Sequence, residues 1–205
     1  MKVLLLNGSP HKNGNTARAL AEMEDVFAQN QVETEIIQVG GKLISGCMGC
    51  QRCYKTGSCA IEDEVNETAE KFKNADGLVI ASPVYYASAN GSLIAFLDRL
   101  FYSSKFSKTM KVGAAVAVAR RAGTTATFDQ LNKYFGISGM PVAGSRYWNI
   151  AHGAVPGEIE KDIEGLQTLR FLAENMTFLM KSIELGKEKY GIPVLEKAAF
   201  TNFIR

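Results

Sequence analysis

The sequence lacks the features that mark several protein classes. Its formal net charge is only +2 over 205 residues, so no surplus of one charge points to nucleic acid as a partner. No apolar run reaches the length of a membrane span. The first apolar run stops at Gly-Ser-Pro and is too short for a signal peptide. We therefore expect a cytoplasmic protein that binds neither nucleic acid nor a membrane.

The sequence has only four cysteines and lacks the common nucleotide-binding motifs. All four cysteines lie between positions 47 and 59, so a secreted disulfide framework is not expected. Neither G-x-G-x-x-G nor a Lys-Ser/Thr P-loop occurs in the sequence. The second predicted strand ends in Gln38-Val39-Gly40, without the acidic residue that would hold a ribose diol. These absences weaken the dinucleotide and nucleoside-triphosphatase interpretations.

Short apolar runs alternate with amphipathic stretches along the chain. This alternation predicts an α/β fold with a doubly wound, five-stranded parallel sheet and helices on both faces. The strands are predicted at residues 3–6, 32–39, 76–81, 111–119 and 141–148, and a last long helix at 158–185 with an interruption near Gly165. We expect one domain over residues 1–185. Residues 186–205 would form a C-terminal extension that packs on the body or on a partner subunit.

The segment KVLLLNGSPHKNGNTAR, residues 2–18, joins a buried strand to a helix through a polar loop. The first amides of a helix have no internal partner and carry the positive end of the helix dipole. Ser9, Asn13, Asn15 and Thr16 add neutral donors. The loop therefore predicts a monophosphate site, for which flavin mononucleotide (FMN) is the usual ligand; a tight turn with no ligand is the alternative.

Two further loops follow the third and fourth predicted strands. Pro83-Val84-Tyr85-Tyr86 offers flat apolar surface and backbone amides to a heteroaromatic ring. Arg121-Ala122-Gly123-Thr124 combines small residues with an arginine that could stabilise charge on a reduced ring. The alternatives are a tyrosine that covers the edge of the core and a surface arginine pair beside a helix cap.

Three segments together resemble the flavodoxin-like, NADPH-dependent FMN reductase superfamily: NGSPHKNGNT, DGLVIASPVYYASANGSLIAFLDR and ARRAGTT. The resemblance covers about residues 1–150. It implies the strand order 2-1-3-4-5, bound FMN, and a homodimer or homotetramer. It places the phosphate on Ser9, His11, Asn15 and Thr16, and the ring on residues 83–86 and 121–124. His11 stands where many relatives have Arg, and Ile94 where many have Lys.

The cysteines form the pattern C-x2-C-x2-C-x5-C, with Cys47, Cys50, Cys53 and Cys59. Closely spaced thiolates can surround one iron–sulfur cube, whereas zinc usually takes two separate C-x2-C pairs. The pattern resembles the iron–sulfur flavoprotein branch of the superfamily, which implies a [4Fe-4S] cluster near FMN. Zinc, free redox-active thiols and a disulfide such as Cys53 with Cys59 are the alternatives.

The predicted function is that of an FMN-dependent oxidoreductase. It would use NAD(P)H to reduce a flavin, a quinone or another small-molecule electron acceptor. One alternative is an iron–sulfur flavoprotein that carries electrons received from a ferredoxin-like donor, and another is a non-enzymatic flavodoxin-like binding module. No side chain is assigned as catalytic, because the cofactor carries the chemistry.

Overall fold

The fold is built on one central sheet. A computed structural model describes residues 1–194, 196, 197, 199, 201, 203 and 204. The strands are β1 Lys2–Asn7, β2 Glu33–Gln38, β3 Gly77–Tyr85, β4 Ser88–Ala89, β5 Val112–Ala119 and β6 Ile150–His152. Strands β2-β1-β3-β5-β6 lie side by side and parallel, while β4 pairs antiparallel with β3 only. The predicted doubly wound α/β fold and its strand order are confirmed.

Helices cover both faces of the sheet. They are α1 Asn15–Gln29, α2 Cys53–Thr56, α3 Glu64–Lys73, α4 Gly91–Ser103, α5 Thr124–Ile137 and α6 Ile163–Tyr190, with a short 3-10 helix at Glu158–Lys161. Successive side chains of a strand point to opposite faces, so Val3 and Leu5 pack with α1 and α6, whereas Leu4 and Leu6 pack with α3, α4 and α5. One hydrophobic core lies on each face of the sheet. Because the five strands run parallel, their carboxyl ends lie along one edge of the sheet.

The last strand begins later than predicted. At residues 141–148 there is one bridge, Gly113 with Val142, and the strand itself is Ile150–His152. Polar side chains hold residues 143–149, between the bridge and the strand. Asn149 Nδ2 donates to the Ala115 carbonyl at 3.1 Å, and Ser145 Oγ donates to Asn149 Oδ1 at 2.8 Å. The prediction was wrong here, and the loop that follows this strand is residues 153–157.

Strand β3 is longer than predicted, because the sequence Ser82-Pro83 does not end it. Beyond Ala81, β3 no longer pairs with β1 but continues beside β5, where Pro83 lies opposite Val118. A proline without an N–H is tolerated where a strand has a partner on one side only. The strand turns back at Tyr86-Ala87, which both have positive φ, 51° and 58°. This is the geometry of a tight hairpin turn.

Helix α6 also differs from the prediction. The interruption lies at Asp162 rather than Gly165, because the Asp162 carboxylate caps the helix by accepting the Gly165 N–H at 2.9 Å. The helix then continues to Tyr190, so residues 186–190 are helical rather than extended. Of the remaining extension, residues 195, 198, 200, 202 and 205 lie outside the described residues, and its packing on a partner stays a prediction.

None of the helices in the described part of the chain is long and apolar enough to cross a membrane.

Candidate functional site

The loop between β1 and α1, residues 8–14, is folded tightly on itself. The Gly8 N–H donates to the Ala81 carbonyl at 2.8 Å, which continues the sheet by one residue. The Ser9 N–H donates to Asn7 Oδ1 at 3.0 Å, and the His11 N–H donates to Ser9 Oγ at 3.1 Å. Its backbone is therefore fixed before any ligand binds.

Side chains at the end of β2 and at the N-terminus of α4 support the β1–α1 loop from outside. Asn90 Nδ2 donates to the Gly8 carbonyl at 2.7 Å, and Gln38 Nε2 donates to the Ser9 carbonyl at 2.6 Å. A Cβ atom added at Gly40 would lie 2.2 Å from the Ser9 carbonyl carbon, so only glycine fits there. Sequence reasoning missed the supporting roles of Asn90 and Gln38. The available signals were the polar Gln38 at the end of β2 and the Asn-Gly pair that begins α4.

The N-terminus of α1 has the properties of an anion site. Its N-cap residue is Gly14, and no side chain of the described residues caps the helix. Ser9 and Thr16 beside it are nearly buried, at 4% and 2% exposure. Uncapped amides and hydroxyl groups in a semi-enclosed loop are suited to a phosphate group. The residues present therefore fit the phosphate of FMN.

A cleft of about 320 Å³ opens beside this helix end, a volume within the range of small-molecule sites. It is lined by seven of the predicted site residues: Ser9, His11, Asn15, Thr16, Pro83, Val84 and Tyr85. The structure thus brings the β1–α1 loop and the last residues of β3, which the sequence predicted as a loop, to one cleft, as expected for the carboxyl edge of a doubly wound sheet.

The remaining predicted residues do not line this cleft: Asn13, Tyr86, Arg121, Ala122, Gly123 and Thr124. Tyr86 is fully exposed at the tip of the hairpin turn. Gly123 nevertheless lies against that hairpin, because an added Cβ would meet Val84 Cγ1 and Ala87 Cα at 2.9 Å. The two predicted ring loops are therefore in contact, although the second does not reach the cleft wall.

The β1–α1 loop and residues 83–85 form two walls of the cleft, and a third wall was not predicted from the sequence. It consists of Gly153, Ala154 and Pro156, with Arg120 beside them rather than the predicted Arg121. Asn15 holds this wall in place: its Nδ2 donates to the Val155 carbonyl at 3.0 Å, and its Oδ1 accepts the Gly157 N–H at 3.1 Å. The wall was missed because the preceding strand was placed too early.

The four cysteines share a second pocket, which we call the cysteine pocket. Cys47, Cys50, Cys53 and Cys59 all line it, together with Arg99 and Tyr102. Cys53, the first residue of α2, is buried, whereas Cys47 and Cys50 are exposed. Within the described part of the chain, no three His, Cys, Asp or Glu side chains could hold a single metal ion together. In a [4Fe-4S] cube each cysteine binds a different iron, so its ligands surround a volume instead of meeting at one point.

Charged and aromatic groups border the cysteine pocket. The Arg99 guanidinium donates to both carboxylate oxygens of Asp63 at 2.7 and 2.8 Å. Burial alone would raise the pKa of Asp63, but the hydrogen bonds from Arg99 and from the Val65 amide lower it below its usual range. The Tyr54 and Tyr102 hydroxyls lie 2.6 Å apart, and this contact raises the pKa of Tyr102 to about 12.

Comparison with known proteins identifies the family. The model of the family "NADPH-dependent FMN reductase" matches residues 1–155 of this chain. The chain belongs to the NADPH-dependent FMN reductase family. The sequence resemblance is thereby confirmed, and this family member is a flavin-dependent oxidoreductase.

The relatives place the chain in the iron–sulfur flavoprotein branch of the family. An iron–sulfur flavoprotein of Methanocaldococcus jannaschii is 35% identical over 90% of this chain and 100% of its own length. An iron–sulfur flavoprotein of Methanosarcina thermophila is 29% identical, with 92% and 100% coverage. Among solved structures, RosB with a bound formyl derivative of riboflavin 5′-phosphate has a TM-score of 0.73 at 17% identity, with 100% of this chain and 94% of that chain covered. That last likeness shows the fold.

Proposed function

We propose that the protein binds FMN with its phosphate at the β1–α1 loop and its ring along the cleft, and that it uses the bound FMN to transfer electrons from NAD(P)H to a small acceptor. One observation carries this proposal: the N-terminus of α1 has no side-chain cap and, together with the β1–α1 loop, borders a cleft of suitable size. Membership of the NADPH-dependent FMN reductase family supports NAD(P)H as the donor. A flavin or a quinone is the class of acceptor we propose.

Each wall of the cleft has a separate role in this proposal. The first amides of α1, with Ser9 and Thr16, hold the phosphate by hydrogen bonds. Pro83, Val84 and Tyr85 present apolar surface to the ring, and the exposed Arg120 guanidinium compensates negative charge at the cleft. Bound FMN supplies both hydride and one-electron chemistry. The protein binds the cofactor, orients it and limits the access of water.

The cysteine pocket favours a second candidate function. We propose that Cys47, Cys50, Cys53 and Cys59 hold a [4Fe-4S] cluster, and that a ferredoxin-like protein can deliver electrons through it to FMN. The convergence of all four cysteines on one pocket supports this proposal, as do the names of the relatives. The assembly as a homodimer or homotetramer and the cytoplasmic location stay predictions.

Anaerobic reduction distinguishes the two electron donors. Protein purified without air is analysed for FMN, iron and acid-labile sulfide per chain and is then mixed with NADPH or NADH. Rapid loss of the flavin absorbance supports the reductase, whereas reduction only by a reduced ferredoxin supports the carrier. Protein that contains no flavin and does not take up added FMN would refute both.

A further inference from the structure

Arg99, on helix α4, is the most unusual buried side chain near the cysteine pocket. It is 1% exposed and is the largest fully buried side chain of the described residues. An isolated buried charge is strongly unfavourable, so such a group is kept only with compensating partners. Its partners therefore indicate what the guanidinium is there to do.

All five N–H groups of this guanidinium have an acceptor. Four are taken by oxygen atoms: the two Asp63 carboxylate oxygens, the Ile61 carbonyl at 3.2 Å and the Ser45 carbonyl at 3.4 Å. The fifth, on Nε, donates to the Cys59 sulfur at 3.2 Å. Because an arginine has five N–H donors, none is left for water or for another ligand.

These contacts join Arg99 to both ends of the cysteine-bearing chain. Ser45 precedes the first cysteine, and Ile61 and Asp63 follow the last, so one side chain on a packed helix fixes both ends of the segment of residues 45–63. Asp63 also caps α3 by accepting the Val65 N–H at 3.1 Å. The Arg99 side chain that contacts Cys59 is thus anchored by Asp63 at the start of α3.

We propose that Arg99 is a positioning residue that raises the reduction potential of the iron–sulfur cluster through its hydrogen bond to the Cys59 sulfur. The inference rests on the cluster of the proposed function. Reduction adds negative charge to a cluster, and a hydrogen bond from a cationic donor to a ligand sulfur stabilises that added charge. Asp63 offsets most of the guanidinium charge, which leaves the hydrogen bond as the larger effect.

Three variants separate this role from a purely structural one. Arg99→Met removes both the donor and the charge. Asp63→Asn retains the donor and the helix cap, because asparagine is also a good N-cap residue, but removes the compensating charge. The double variant Arg99→Met/Asp63→Asn removes the hydrogen bond without leaving a buried unpaired ion. It keeps the test open if Arg99→Met alone does not fold.

The measurement is the midpoint potential of the cluster in the full-length protein, purified without air and followed by the spectrum of the reduced cluster. We expect a more negative potential in Arg99→Met and in the double variant, and a more positive one in Asp63→Asn. Arg170→Met is the matched control, because this arginine pairs with Glu22 away from the pocket, and its potential should equal that of the wild type.

Opposite shifts in the Asp63→Asn and double variants support the proposal, because loosening of the loop alone would move both potentials in the same direction. An unchanged potential in the double variant overturns the proposal while leaving the proposed function intact. A wild-type protein without iron and sulfide overturns both the cluster assignment and this inference, whereas its flavin content reports separately on the FMN site.

Discussion

The β1–α1 loop and the cysteine segment (residues 45–63) are built differently. The first is seven residues long and is held by the backbone of β3 and by Asn7, Gln38 and Asn90. The second contains only the one-turn helix α2 and leaves Cys47 and Cys50 exposed. Arg99 fixes its two ends, but the described residues between them lie largely at the surface.

This difference indicates how each loop meets its ligand. The β1–α1 loop has its donors in place before binding, so little ordering is required when a phosphate enters. If the cysteine segment holds the proposed cluster, it gains its final arrangement when the cluster binds, since folding and metal binding are coupled where no preformed site exists. The two sites should therefore fail independently when one of them is altered.

Removal of one cysteine should have the largest effect and should be confined to one site. In Cys53→Ala we expect complete loss of iron and sulfide, because the proposed cube requires all four thiolates. The dissociation constant for FMN should change by less than about threefold, a cost below 1 kcal/mol. Iron analysis and flavin titration of the same preparation measure both quantities.

Loss of FMN together with iron in this variant would contradict the independence of the two sites. Cys53→Ser, which retains the size of the side chain but not the thiolate, is the control for a packing effect.

Gly40→Ala should have the reverse effect. The added Cβ would overlap the Ser9 backbone, so the β1–α1 loop must move. We expect FMN affinity to fall by about a hundredfold and the free energy of unfolding to fall by about 1–3 kcal/mol. Iron content should be unchanged.

Gly46→Ala is the matched control, because no atom of the described residues beyond its chain neighbours lies within 4 Å of the position of its added Cβ. A wild-type FMN affinity in Gly40→Ala would mean that the loop is as adaptable as the cysteine segment.

Asn90→Ala tests whether the outer support of the β1–α1 loop matters for binding. The variant loses the hydrogen bond to the Gly8 carbonyl and the cap on the Ser92 N–H. We expect a loss of about 1–2 kcal/mol in stability and a roughly tenfold weaker binding of FMN. Denaturant unfolding and fluorescence titration provide the two values.

Asn74→Ala removes a similar asparagine amide that bonds the Glu70 carbonyl at an exposed helix end. It should leave FMN affinity unchanged, and equal affinities in both variants would show that Asn90 does not support the site.

The smallest effect we expect is a pH dependence of the free energy of unfolding that arises from Asp63 in the cysteine segment. The folded-state pKa of Asp63 is lowered from its ordinary value of 3.8, so its contribution is present at neutral pH and is lost as the pH falls through the folded-state pKa. The difference in unfolding free energy between wild type and Asp63→Asn should therefore shrink as the pH falls from 7 to 3. Urea unfolding across this range measures it, and a difference that grows on acidification would contradict the pairing with Arg99.

Much of the fold was predictable from the sequence because the buried strands are long apolar runs. The residues KVLLLN and VGAAVAVA can only be buried on both faces, which fixes a parallel sheet and the edge where its loops meet. Strand β6 has three residues and no such run, so its position followed from tertiary pairing with β5 and was not visible in the sequence.

The site shows the same division. Ser9, Asn15 and Thr16 follow directly from the strand–loop–helix pattern, and Tyr85 from its position after the third predicted strand, residues 76–81. Arg99 was missed, since in the sequence it is one charged residue in the amphipathic helix α4. Only the tertiary structure brings it beside Cys59, 40 positions away.

The most direct test of the central claim compares FMN with riboflavin, which has the same ring but no phosphate, by titration of the flavin-free protein. If the β1–α1 loop and the N-terminus of α1 hold the phosphate, riboflavin should bind at least about a hundredfold more weakly, because several charge-assisted hydrogen bonds are lost. Equal affinities for the two flavins would show that this loop is not the phosphate site.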